Sequence, residues 1–171
     1  ELLAYEVSKT LTFQSTEVQT PLGSAQMELP VDQVVLVAVL RAALPFYQGF
    51  LNSFDQAESG FIGAFRQEDG GEIGVNLGYH ASPQLDNKVL ILVDPMLATG
   101  GSAIAAVELL KSWGVKHIKF IGLLGAPEGA HALHQAHPDV DVHLAELDEL
   151  LNERGFIVPG LGDAGDRQFG T

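Results

Sequence analysis

Val93-Asp94-Pro95-Met96-Leu97-Ala98-Thr99-Gly100-Gly101-Ser102 decides the fold of this chain, because it joins an apolar run to the start of a helical period. The run before it, Val89-Leu90-Ile91-Leu92-Val93, lacks the alternation of a half-exposed strand, so it reads as a strand buried on both faces. After it, Ser102 to Trp113 carries Ile104, Val107, Leu110 and Trp113 at steps of three, which predicts a helix packing that side on a sheet. Glu108, Lys111 and Ser112 then face outward, and Gly114 ends the helix. Ile118 to Leu124 is the next strand, which completes a strand-helix-strand unit.

Working outward, Val34-Val35-Leu36-Val37-Ala38-Val39-Leu40 is another strand buried on both faces, rich in β-branched residues. Ala43 to Phe54, with Pro45 near its start and Leu44, Tyr47, Phe50 and Leu51 at steps of three and four, predicts a helix. The fold class is therefore α/β, a parallel sheet flanked by helices. Phe61 to Phe65 leads through Asp69-Gly70-Gly71-Glu72 into Ile73, Val75, Leu77 and Tyr79, which alternate strictly; this predicts an inserted antiparallel β-hairpin at about 60–81. Arg154 to Thr171 shows no helical period, and its five glycines with Pro159 argue against strand beyond Phe156 to Val158. Glu1 to Val7 is a helix-like phrase without an initiator Met, so an upstream segment is expected to have been removed.

A length of 171 residues predicts one domain, 1–171. Nine Lys+Arg against 22 Asp+Glu leave −13, so the mean field repels polyanions and no nucleic-acid partner is expected. With 46 % hydrophobic and 18 % charged residues the chain can bury a core. Zero cysteines exclude disulfides, thiolate nucleophiles and Cys-based metal sites. No apolar run approaches the ~18 residues of a membrane span and no signal peptide opens the chain, so a cytoplasmic protein without a membrane partner is expected.

The Asp94 to Ser102 phrase reads as an anion cradle. Two glycines let the backbone approach a phosphate, free N–H groups at the helix start point at it, and the Thr99 and Ser102 hydroxyls add donors. The Gly-Lys-Ser/Thr of an ATP-binding P-loop is absent. The bland alternative is a Gly-Gly turn with Ser102 as N-cap. Asp94, a carboxylate closing an apolar strand, suits a sugar hydroxyl or a metal, although an Asp-Pro turn would look the same.

Gly160-Leu161-Gly162-Asp163-Ala164-Gly165 matches the dinucleotide pattern G-x-G-x-x-G, but Pro159 precedes it and only six residues follow, so the fingerprint's context is missing. Such a loop can instead read the edge of a planar heterocycle with its backbone; a flexible tail is the alternative. Of four arginines, Arg41 and Arg66 end apolar runs and so belong near the carboxyl-end crevice, where a diphosphate would fit. Arg154, among Asp148, Glu149 and Glu153, is expected in a surface ion pair, and Arg167 can be read either way. His131, His134 and His137 read as the solvent face of a short helix stopped by Pro138 rather than as zinc ligands. No G-x-S-x-G nucleophile elbow occurs, and Asp141 to Glu153 reads as a solvated acidic face.

With these phrases in hand, the chain resembles the uracil phosphoribosyltransferases along almost its whole length. Asp94-Pro95-Met96-Leu97-Ala98-Thr99-Gly100-Gly101-Ser102 is similar to that family's phosphoribosyl-diphosphate (PRPP) loop, and Ile157 to Thr171 to its uracil-binding carboxyl tail, here at about 155–171. Leu40-Arg41-Ala42-Ala43-Leu44 resembles the diphosphate-contacting turn, and Phe65-Arg66 the arginine that begins the hairpin hood. The resemblance implies a type I phosphoribosyltransferase core and the reaction uracil + PRPP → UMP + diphosphate with Mg²⁺ carried by PRPP. It implies that Asp94 holds the ribose hydroxyls, Ala98 to Ser102 the 5′-phosphate, and Arg41 and Arg66 the diphosphate. It also implies that backbone at Ile157, Gly162 and Ala164 reads uracil, with Asp163 between base and ribose as a catalytic candidate. A GTP effector and a homodimer or larger homo-oligomer belong to the same expectation. Two departures stand out, Ala43 in place of a usual glycine and Phe65 in place of a common tyrosine, and the family's amino-terminal helical segment is expected to be missing from this sequence.

Overall fold

The computed structural model describes residues 1–69 and 72–171, with 65–69 and 72–77 described by backbone alone. In chain order the elements are α1 (Leu2–Ser8), β1 (Phe13–Thr20), β2 (Gly23–Pro30), β3 (Val34–Leu40), α2 (Leu44–Leu51), β4 (Glu58–Asp69), β5 (Glu72–Ala81) and β6 (Val89–Val93). They continue with β7 (Met96–Leu97), α3 (Gly101–Ser112), β8 (His117–Gly125), α4 (Pro127–Ala136), β9 (Asp141–Leu147), β10 (Leu150–Leu151), β11 (Ile157–Val158) and α5 (Ala164–Phe169).

A seven-stranded sheet has the order β5-β4-β3-β6-β8, with β9 and the short β7 both paired to β8. Every pairing is parallel except β4 with β5. The run of apolar residues in β3 supplies both faces of the sheet by alternation. Val35, Val37 and Val39 pack with Leu90, Leu92 and Phe120 beneath α3 and Leu133 of α4. Leu36 and Ala38 pack with Ile91, Val93 and Ile121 against α1 and α2, through Val7, Tyr47 and Phe50. The β3-α2-β4 crossover therefore covers one face and runs toward one edge, while β6-α3-β8 covers the other face and runs toward the opposite edge. The direction of winding reverses between β3 and β6, and a crevice is left outside their carboxyl ends. Asp94-Pro95 interrupts the strand, the Pro95 carbonyl accepts N–H groups of Leu123 and Leu124 at 3.0 Å, and β7 resumes pairing with β8.

Several elements differ from the sequence reading. The buried side of α3 is Ala103, Ala106, Val107 and Leu110, with Ile104 and Trp113 only partly buried, because a 3.6-residue turn drifts away from a strict three-residue step. The hairpin is more than an insertion: the first half of β4 pairs in parallel with β3, and only then does the strand meet β5. Its Gly70-Gly71 tip lies outside the described residues. The acidic stretch holds an edge strand, β9, in which Val142 and Leu144 pack on the core while Asp141 and Glu146 stay exposed. The carboxyl tail holds a helix, α5, begun by Asp163, whose Oδ1 accepts the Asp166 N–H at 2.9 Å, and closed by Gly170 in the left-handed region. Arg154 has no ion pair among the described residues; its guanidinium lies 5.9 Å from the Phe156 ring centroid. A two-stranded ladder, β1 with β2, was not expected at all.

No helix among the described residues is long and apolar enough to cross a membrane. Leu92, fully buried in the middle of the sheet, should lose about 2–5 kcal/mol of stability as Leu92→Ala in urea unfolding. Leu22→Ala, at a fully exposed side chain, should stay within about 0.5 kcal/mol of the parent. Similar losses in the two variants would contradict this core.

Candidate active site

The crevice at the β3/β6 reversal is a cleft of about 610 Å³. One wall is the end of β3 and the turn after it, Val39 to Ala42; the floor is Asp94; the opposite wall runs from Met96 to Ala103. Gly63 and Ala64, at the irregularity where β4 leaves β3 for β5, close one end, and Asp163, Ala164 and Gly165 close another. Residues more than one hundred positions apart in sequence thus share one cavity.

The cradle is formed by the start of α3. Gly100, at φ 85°, is the N-cap, not the Ser102 of the alternative reading, so the N–H groups of Gly101, Ser102 and Ala103 lack helical partners and concentrate positive potential at the cleft. The loop is pressed from behind by the first turn of α4. The Ala126 N–H donates to the Leu97 carbonyl at 2.9 Å, and a Cβ added to Gly129 would lie 2.2 Å from the Ala98 oxygen. Only glycine allows that approach, so α4 fixes the height of the loop. Leu97 reaches the cleft while its side chain is buried in the core, and Pro95 does not line the cleft.

Asp94 keeps a partly accessible surface toward the cleft, but its carboxyl group is set among protein atoms. Burial pushes its pKa up to about 7, opposed by the Met96 N–H at 3.4 Å. Arg41 follows the cis Leu40–Arg41 peptide and reaches toward α5. Its Nη2 lies 3.9 Å from an Asp166 oxygen and donates to Thr171 Oγ1 at 3.5 Å, with the Phe169 ring 5.6 Å away. Both partners of that ion pair are more than half exposed, so the pair is weak and an incoming anion can compete for the guanidinium. Ala43 is fully buried with φ −73° and ψ −13°, a conformation alanine adopts without strain, so the departure from glycine leaves the turn intact.

A cradle for one phosphate, a cation for another anion, a carboxylate floor and a backbone-rich edge thus face one another. The sequence model of the family described as uracil phosphoribosyltransferase matches residues 1–171. The chain belongs to the uracil phosphoribosyltransferase family. The uracil phosphoribosyltransferase of Ligilactobacillus salivarius is 49 % identical over 173 residues, spanning 100 % of this chain and 82 % of the relative. That of Dictyoglomus turgidum is 47 % identical over 172 residues, spanning 99 % and 82 %. The solved structure of the AQ2163 protein from Aquifex aeolicus superposes with a TM-score of 0.90 at 33 % identity, covering 98 % of this chain and 80 % of that one. The fold is the type I phosphoribosyltransferase α/β fold, and the chain is a phosphoribosyltransferase.

Of the residues singled out in this phosphoribosyltransferase, Arg41, Asp94, Met96 to Ser102, Asp163 and Ala164 line the one cleft. Ile157 and Gly162 do not; Ile157 is buried in β11 and Gly162 lies just before Asp163. The Arg66 and Phe65 side chains lie outside the described residues. Gly63 and Ala64 line the cleft with no spacing in the sequence to announce them, and Gly165, the last glycine of the Gly160 to Gly165 phrase, lines it without having been singled out. Among the histidines, His131 and His134 are exposed on α4 and His137 is within 3.3 Å of Lys111 Nζ.

A carboxyl whose pKa is raised on folding stabilises the fold below its unfolded value, 3.8, and that contribution is lost as pH rises toward about 7. Asp94→Asn should therefore be more stable than the parent at pH 8, by on the order of a few kcal/mol at most and with a correspondingly higher Tm, the advantage shrinking toward about pH 4. A pH-independent difference in melting temperature would refute the assignment.

Proposed function

We propose that this chain transfers the phosphoribosyl group of PRPP to uracil, giving UMP and diphosphate. The observation that carries the reading is the meeting of the α3 cradle, Arg41 and the Asp163–Gly165 segment in a single cleft. The 5′-phosphate suits the N–H groups of Gly101, Ser102 and Ala103 with the Thr99 and Ser102 hydroxyls. Asp94 at the floor suits the ribose hydroxyls as hydrogen-bond acceptor, and binding there favours its ionised form. Arg41, joined by Arg66 on the strength of the family likeness, faces the diphosphate.

In the reaction the C1–O bond breaks with its electron pair leaving on diphosphate, and uracil N1 bonds to C1 and gives up its proton. Positive charge develops on the ribose ring and negative charge on the leaving group, so fixed charges and positioning supply most of the acceleration. Arg41 accommodates the negative end. Asp163 Oδ1 is engaged by the Asp166 N–H, while Oδ2, which has no hydrogen bond among the described residues, is placed to meet the N1 proton or the ribose side. The donor set of the cleft, the Asp94 and Asp163 carboxylates with the Thr99 and Ser102 hydroxyls, would suit a hard cation such as Mg²⁺ arriving with the diphosphate. Bound so, the ion would help neutralise the leaving diphosphate. Uracil presents acceptor, donor and acceptor along one edge, which two N–H groups and a carbonyl of the Ile157 to Ala164 segment can match. Cytosine or adenine would leave buried polar groups unpaired there.

Chromatography of the chain incubated with PRPP, Mg²⁺ and one base at a time should give UMP from uracil and no nucleotide from cytosine, hypoxanthine or adenine. Turnover with another base only, or with none, would refute the reading. Arg41→Ala and Asp163→Asn should each lower kcat/KM by about tenfold or more with unchanged circular dichroism, since asparagine also caps a helix. Undiminished turnover in either would remove that residue from the mechanism.

A further inference from the structure

The acidic stretch between β9 and β11 contains one carboxylate that is not merely solvated. Asp148 is partly buried, and its Oδ2 accepts the Gly160 N–H at 2.9 Å. Gly160 is the pivot of the turn that carries the chain from β11 into Gly162-Asp163-Ala164. Its φ is 52°, and a Cβ there would lie 2.1 Å from the Ile157 carbonyl oxygen, so the backbone doubles back on itself at this residue. The Asp148 N–H in turn donates to the Gly125 carbonyl at 2.8 Å, which fixes the carboxylate to the end of β8 and hence to the sheet.

We infer that Asp148 is a positioning residue that sets the base-reading segment against the cleft by holding the Gly160 N–H. The inference rests on the proposed function, since it takes Ile157 to Ala164 as the uracil-reading segment. Removing the carboxylate releases the turn without releasing the hairpin before it. The β10–β11 ladder keeps the Glu149 N–H bond to the Val158 carbonyl, and the Leu151 N–H remains held by Glu128 Oε1 at 3.1 Å. The phosphate cradle is braced separately by α4, so the defect falls on one substrate rather than both.

Steady-state kinetics of the parent, Asp148→Ala, Asp148→Asn and the exposed control Glu146→Ala test this. Asp148→Ala should raise KM for uracil by about tenfold and leave KM for PRPP within about twofold, the loss expected for one charge-assisted hydrogen bond. Asp148→Asn keeps an acceptor oxygen of the same reach and should recover to within about threefold of the parent, with Glu146→Ala unchanged. An equal rise in both KM values, no rise, or an asparagine variant as impaired as alanine would overturn the inference. A parent that makes no UMP would sink the proposed function itself, whereas an active parent with an unaffected Asp148→Ala overturns only the role of Asp148. Should Asp148→Ala not fold, amide exchange in the parent decides: protection of the Gly160 N–H well above that of Gly162 supports the contact, and equal exchange overturns it.

Discussion

The opposite winding of the chain from β3 and from β6 is the constraint on which the rest depends. Because α2 leaves toward one face and α3 toward the other, the carboxyl ends of these two central strands open, among the described residues, on one cleft that Arg41 and Asp94 share. The core does the holding. Val35, Leu36, Val37 and Ala38 of β3 and Leu90 to Val93 of β6 are buried on both faces, so the strand ends that carry Arg41 and Asp94 cannot move independently of the sheet. Precision at the site is therefore inherited from packing rather than from the loops themselves.

A chain of net charge −13 that takes an anionic substrate must concentrate its positive potential where it is needed. It does so with backbone as much as with side chains. The N–H groups at the start of α3, which lack helical partners, supply positive potential without a cationic side chain for the surrounding acids to pair with, and the nearby Arg41 is held loosely by Asp166 and Thr171. Asp94 works in the other direction: its burial disfavours its charged form, the form that the proposed ribose contact would use, a local loss of stability at neutral pH. Neighbouring elements then act as braces, α4 through Gly129 behind the cradle and the β8 end through Gly125 and Asp148 behind the carboxyl segment.

The parts of the fold legible in the sequence were those in which burial dictates composition. The apolar runs of β3 and β6 and the Asp94 to Ser102 phrase predicted the sheet, the α3 crossover and the cleft, because a strand buried twice and a helix start at its tip leave a strong local signature. Edge and surface elements left a weaker one. In β9 the acids of Asp141 and Glu146 masked the inward Val142 and Leu144, and α5, six residues long with Gly165 inside, is too short to show a helical period although Asp163 and Gly170 delimit it. The alternative that made Ser102 the cap follows serine's usual preference, whereas the left-handed Gly100 takes that position. Contacts made across the fold, such as Asp148 with Gly160 or Gly129 with Ala98, have no sequence spacing to betray them.

The central claim is that one cleft joins the α3 cradle to the carboxyl segment, and UMP, which carries both a 5′-phosphate and the uracil ring, spans the two. Amide NMR during a UMP titration tests it most directly. The account predicts that the amides of Thr99 to Ser102 and those of Gly162 to Ala164 shift together along one binding curve, with uracil alone moving only the second group. Shifts confined to the cradle, or two groups saturating with different affinities, would contradict it.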